Sequence, residues 1–187
     1  MRLRYFALLA SLLACTPLLS ACGDNGLLAE LILSPDTAVI GLPAGNASGS
    51  AIDFVRASGD FDLVRNPERV ADAEQWDIAL RSTASGLVFR PFVPVASNLR
   101  GSEISVATRS FDDIDDAPRG NSSYTREPVP VTANGVYLVR SRQFTSSGVL
   151  CVKYAKMRVL ELNTALQTVR VAVVINEGCD DERLSDD

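Results

Sequence analysis

The sequence predicts an all-β protein, an antiparallel sandwich or strongly curved sheet of short strands and hairpins, preceded by a signal-peptide helix. Three observations carry that expectation. The run from Val149 to Cys179 reads as a long β-hairpin. The other strand-sized stretches are short and are separated by Gly, Pro, Ser, Asn and Asp. No stretch after the leader sustains a 3.6-residue hydrophobic period, and helix caps are few.

In the hairpin, Cys151, Ala155, Met157 and Val159 share one parity, with Lys156 and Arg158 on the other. The second arm, Val169 to Ile175, is rich in β-branched residues, which suit a pleated, largely buried surface. Asn163-Thr164-Ala165 supplies turn chemistry. Closing the hairpin about Ala165 sets Met157 opposite Val173, Val159 opposite Val171, Lys153 opposite Glu177 and Cys151 opposite Cys179. One register then satisfies an apolar face, a charge pair and a disulfide together. Closing a loop of that length contributes roughly 3–4 kcal/mol in the chain-entropy model. A bulge that shifted the register would instead part the Cα atoms beyond about 7 Å and leave two thiols.

Residues 1–21 read as an address. Arg2 and Arg4 form a basic start, Tyr5 to Leu19 an apolar run, and Leu19-Ser20-Ala21-Cys22 closes the segment. The run falls short of the roughly 20 residues that span a bilayer, so it reads as a secretory signal. Its last four residues resemble the lipobox of bacterial lipoproteins, which implies cleavage before Cys22 and diacylation of that cysteine. Multiple acyl chains anchor stably where one does not. The expected location is the cell envelope, and Gly23 after the cysteine leaves the outer membrane open in a two-membrane bacterium. Export also places Cys151 and Cys179 where disulfides persist.

The expected organisation is a lipoprotein signal peptide over 1–21, an anchor and tether over 22–50, a β domain over 51–179 and a frayed acidic tail over 180–187. Leu27–Leu33 and Thr37–Ile40, within the tether, are apolar enough for short strands. Ala51–Val55 and Phe61–Val64 read as a hairpin about Ser58-Gly59-Asp60. Glu68 to Gln75 is polar enough for a short helix or loop. Trp76, Ile78 and Leu80 alternate with Asp77 and Arg81 as a half-buried strand, and Gly86–Arg90 continues the pattern until Pro91. Asn98 to Pro130 is the least core-like stretch, of a length that is often functional or mobile. Gly135–Arg140 restarts the strands.

Composition excludes several chemistries. The formal charge is −5, more negative once Arg2 and Arg4 leave with the signal, so nucleic acid is not an expected partner. With no histidine, Ser-His-Asp and Cys-His catalysis and His-containing zinc sites cannot be built. The two lysines, Lys153 and Lys156, lie in no serine–lysine motif, and an enzyme is not expected. Asp112-Asp113-x-Asp115-Asp116 lacks the glycine and distal glutamate of an EF-hand and reads as a solvated acidic loop before a calcium site.

Three stretches, in this order, resemble the HmuY-type haem-binding lipoproteins. They are the Phe54…Phe61-Asp62 strand pair, Trp76-Asp77-Ile78-Ala79, and Gly135-Val136-Tyr137-Leu138-Val139-Arg140 running on to Lys153-Tyr154-Ala155-Lys156-Met157. The resemblance covers roughly Ala51 to Asn176. It implies a β-rich, surface-anchored carrier that grips one haem between hairpins, its iron held by two histidines or methionines, and an outer-membrane receptor as partner. The sequence departs from that pattern at the iron. No position matches an axial ligand, and Met157 is the methionine left after the leader is removed. Met157 reads first as a core side chain. Tyr124, in the long loop, is the other candidate ligand, because phenolate is among the usual haem-iron donors. The expectation is a lipid-anchored binding protein for haem or another porphyrin without histidine ligation. Its rival is a structural or protein-interaction lipoprotein that keeps the fold and binds no haem.

Overall fold

The structure, a computed structural model, describes residues 36–42, 49–55, 61–69, 72–95 and 98–185. The leader, Cys22, the Leu27–Leu33 stretch, the Ser58-Gly59-Asp60 turn and the last two residues lie outside them. Twelve strands are described. They are β1 (Asp36–Gly41), β2 (Ala51–Asp53), β3 (Asp62–Val64), β4 (Ile78–Thr83), β5 (Gly86–Pro91) and β6 (Glu103–Val106). After a 3-10 turn at Asn121–Ser123 come β7 (Val129–Pro130), β8 (Val136–Arg140), β9 (Phe144–Ser146), β10 (Val149–Cys151), β11 (Tyr154–Asn163) and β12 (Thr168–Asn176). They form a first sheet in the order β1-β12-β11-β8-β6, a second in the order β3-β2-β4-β5-β7, and a small β9-β10 ribbon. All pairings are antiparallel.

The sheets meet over one apolar core. Ala155, Met157, Val159, Val169, Val171 and Val173 project from β11 and β12 toward Ile52, Ile78, Leu80 and Phe89 of the second sheet. Phe89 and Tyr137 bridge the layers edge to face, ring centroids 5.0 Å apart. Buried Tyr137 keeps its hydroxyl satisfied, donating to Pro130 O at 2.8 Å and accepting from Thr132 N at 2.9 Å.

The hairpin takes the expected register from Tyr154 to Val159, with Met157 opposite Val173 and Val159 opposite Val171. A bulge between Val159 and Glu161 then shifts it, so Glu161 faces Arg170 and Asn163 faces Thr168. The connection is consequently the four residues Thr164–Gln167, with Asn163 Oδ1 accepting from Leu166 N at 2.9 Å and Gln167 at φ 53°. The first arm is also broken: Cys151 ends β10, and β11 starts at Tyr154. Lys153 lies in that break and forms no ion pair with Glu177. The disulfide nevertheless forms, with Cα atoms of Cys151 and Cys179 at 5.3 Å.

Both ends of the domain, and the cover over its first sheet, differ from expectation. Residues 36–41 do not belong to a tether: β1 is an edge strand of the first sheet, with Ile40 fully buried. The domain therefore starts before Ala51. It also continues past Cys179, because the acidic tail is packed and not frayed. Leu184 is fully buried, Asp116 pairs with Arg183, and Ala117 N donates to Glu182 O at 2.8 Å. Asn98 to Pro130 contributes β6 and buries Phe111, Ile114 and Ala117 over the outer face of the first sheet. That cover explains Lys156, which is buried where the alternating pattern suggested solvent. Its Nζ donates to Ile114 O at 2.9 Å and lies 4.9 Å from the Phe111 ring centroid. Glu68 to Gln75, expected as a short helix or a loop, takes the loop alternative where described, as turns.

Candidate functional site

Met157 and Tyr124 were the side chains singled out for iron. Met157 is fully buried in the main core. Tyr124 lies in the loop before β7, its ring beneath the Arg140 guanidinium at 5.0 Å. Its hydroxyl is shut away from solvent without a hydrogen-bond partner, and burial, with Tyr154 beside it, pushes the phenol well above its usual range. Above it Arg140 is held by Glu103, and by Asn121 Oδ1 at 3.0 Å, while Arg126 Nε donates to Glu103 at 3.0 Å. A haem held through its iron does not fit these residues: one candidate faces the core, and the other has a buried, protonated oxygen. Among the described residues no group of three or more Cys, Asp or Glu is placed to hold a metal ion. In the acidic loop, Asp113 accepts from Ser110 at 2.6 Å and Asp112 lies 3.6 Å from Arg158.

A different region has the shape of a ligand seat. β4 turns its Ile78 and Leu80 inward, so Ala79 and Arg81 face outward. β5 pairs Arg90 with Ala79 and Val88 with Arg81, which brings the two arginines diagonally together on that outer face. The chain entering β4 folds over the sheet, and Trp76 packs edge to face on Phe92 with centroids 5.2 Å apart. With Ala51, Val64 and Ala79 these rings form a satellite cluster outside the main core. A cleft of about 480 Å³ opens between this aromatic wall and the arginines, within the usual range for small-molecule sites. Val93 and Val95 line it and are 48 % and 97 % exposed. Glu68 and Glu74 line it too.

The arginines differ in setting. Arg90 is exposed, and its side chain has no hydrogen bond or ion pair among the described residues. The Arg81 side chain is 15 % exposed. Its Nη1 donates to its own neighbour's carbonyl, Leu80 O, at 3.0 Å. Its Nη2 lies 3.1 Å from Glu68 Oε1, yet neither Nη2 nor Nε makes an aligned hydrogen bond. Burial pushes the Arg81 pKa down, Glu68 opposes that, and Arg90 adds to it.

The wall of the cleft is held from behind by a buried ionic cluster. Asp77 and Asp53 are fully buried, and Arg142 reaches both: Nη1 to Asp53 Oδ1 at 2.8 Å and to Asp77 Oδ2 at 3.0 Å. Asp77 also accepts from Phe54 N at 2.7 Å and Arg142 N at 2.6 Å. Ser102 Oγ donates to Asp77 O and accepts from Phe92 N at 2.7 Å, so the backbone next to Trp76 and that of Phe92 itself are pinned together. Gly101 permits this approach, since a Cβ there would lie 2.3 Å from Phe92 O. Asp77 was expected on the polar face of a half-buried strand. Its burial follows from a cation supplied 65 residues away.

Neither Arg81 nor Arg90 stood out in the sequence as a binding residue. The available signal was their placement on the two arms of one short hairpin, at positions that share a face once the Thr83–Gly86 turn fixes the register. No protein-family model matches the chain, and neither a curated protein nor a solved structure does.

Proposed function

We propose that this is an exported, lipid-anchored, non-enzymatic binding protein of the HmuY type, and that it takes a porphyrin-class ligand by its ring and not through its iron. The observation that carries the reading is the Trp76–Phe92 wall of an open cleft on a β-sandwich. A planar apolar ring gains most where it can lie against such a surface, and aromatic contacts add about 0.5–1.5 kcal/mol beyond area burial. The leader ending in Leu19-Ser20-Ala21-Cys22 supports the anchor, with Cys22 as the acylated residue. The cell envelope, and the outer membrane where there are two, is the location that follows. Loss of labelled palmitate incorporation in Cys22→Ser tests this part.

The test of the ligand is a titration of the untagged protein with haemin and with iron-free protoporphyrin, since a histidine tag would itself bind haem. Trp76 is the one tryptophan of the chain, so its fluorescence reports the cleft directly. The expected outcome is saturable one-to-one quenching by both compounds with similar affinity, and no axial-ligand signature in the Soret region. No quenching beyond that of a free tryptophan standard rejects the reading. The interaction lipoprotein is then favoured, on the specific ground that the space between the sheets is filled by side chains.

A further inference from the structure

Two guanidiniums lie diagonally on one face of a β-hairpin, beside an aromatic wall, and repel each other there. Arg81 is the informative one. Two of its donor nitrogens are withdrawn from solvent without an aligned acceptor, an arrangement that costs free energy in the unliganded protein. Glu68 stands near but does not close the geometry, and its side chain is 66 % exposed. Arg90, next to it, has no partner among the described residues.

We propose that Arg81 and Arg90 form a carboxylate-docking site on this cleft, that the ligand is an amphipathic ring compound carrying an acid group, and that Glu68 is a displaceable stand-in for that group. The proposal rests on the reading of the cleft as the ligand seat and adds the chemistry of recognition. A planar carboxylate matches the guanidinium fork and supplies two parallel acceptors where Glu68 supplies one misaligned oxygen. The ring then lies toward Trp76 and Phe92, and the exposed side chains of Val93 and Val95 cover its edge. Glu68 and Glu74 balance the two arginines in the free cleft. Anions are therefore not drawn in from a distance, and discrimination arises on contact, when Glu68 swings out to solvent and the ligand takes its place.

The experiment compares 2-naphthoate with its uncharged counterpart 2-naphthylmethanol. It uses the full chain in dodecyl maltoside, with Trp76 fluorescence as the readout. The acid should bind at least tenfold tighter than the alcohol. Arg90→Gln, at an exposed position, should remove most of that difference. Glu68→Gln should tighten naphthoate several-fold, a gain that a damaged fold cannot imitate. Equal affinity for acid and alcohol, or naphthoate binding unmoved by both substitutions, overturns the docking site while leaving the cleft as a seat. Failure of both compounds to reach Trp76 overturns the seat itself and the docking site with it.

Discussion

Arg142 engages both carboxylate oxygens of Asp77, its backbone N–H donating to Oδ1 at 2.6 Å and its Nη1 to Oδ2 at 3.0 Å. The same guanidinium holds Asp53 at 2.8 and 3.2 Å. Arg142 follows β8 in the first sheet, whereas Asp53 and Asp77 belong to β2 and the entry to β4 in the second. The cluster is thus an ionic tie between the layers, set behind the wall of the cleft.

The tie makes stability depend on pH. Burial, partly offset by Arg142, pushes the Asp77 pKa up from 3.8 to about 6. The folded protein therefore holds this proton more tightly than the unfolded chain does. Stability contributed by Asp77 is greatest below about pH 4, falls as pH rises toward 6, and is level above that. The size is on the order of 3 kcal/mol for a fully buried group. Urea unfolding between pH 4 and 7 should show the decline, and Asp77→Asn should remove it. A wild-type curve that rises across this window through Asp77 contradicts the assignment.

Removing the cation is a harsher change. Arg142→Met leaves two buried carboxylates sharing a site, and breaking a buried pair from one side costs about 3–5 kcal/mol. The loss should be larger at pH 7 than at pH 5, because Asp77 can then take up a proton. Equal losses at the two pH values would mean that water reaches the cluster.

This cluster shows where the sequence is legible and where it is not. The alternation of Ile78 and Leu80, of Met157 and Val159, and of Val169, Val171 and Val173 is a local property, and it names the core face correctly. The register about Met157 and Val173 follows from the same pattern. Asp77 and Lys156 sit at positions that a local pattern assigns to solvent. Their burial depends on Arg142 and on the Phe111–Ile114 loop, which the fold brings in from far along the chain. The bulge at Leu160 and the cover laid by Leu184 are likewise tertiary. The cleft was hidden for that reason: its arginines read as ordinary polar-face residues until Trp76 and Phe92 are folded over the same sheet.

The disulfide joins the β9-β10 ribbon to the segment after β12, across 28 residues. Cys151 is buried and Cys179 is exposed, so a reductant has access from one side. Reduction, or the double change Cys151→Ser with Cys179→Ser, should lower stability by about 3–4 kcal/mol. Urea midpoints with and without dithiothreitol measure this, and identical midpoints would refute it.

Met157 can be separated from ligand binding. It is fully buried in the main core, so Met157→Ala should cost about 2–5 kcal/mol and Met157→Leu less than about 1.5 kcal/mol. Neither should alter Trp76 quenching by protoporphyrin. A Soret change specific to Met157→Leu would return this side chain to the role of an iron ligand.

The tail supplies a last test of how far the domain extends. Leu184 is fully buried among Phe111, Ile114 and Val174, and its N–H donates to Asp115 O. The acidic loop and the acidic tail thus meet around an apolar contact and a backbone bridge between Asp116 and Arg183, with the Arg183 guanidinium on Asp181 and Arg119 3.3 Å from Glu182 to offset the repulsion. Leu184→Ala should cost about 2–5 kcal/mol, as for a core leucine, whereas a frayed tail would tolerate it within about 0.5 kcal/mol. Amide exchange gives the local readout. The Ala117 N–H, bonded to Glu182 O, should be protected in the wild type and exchange quickly in the variant. Fast exchange at Ala117 in both proteins would place the end of the domain back at Cys179.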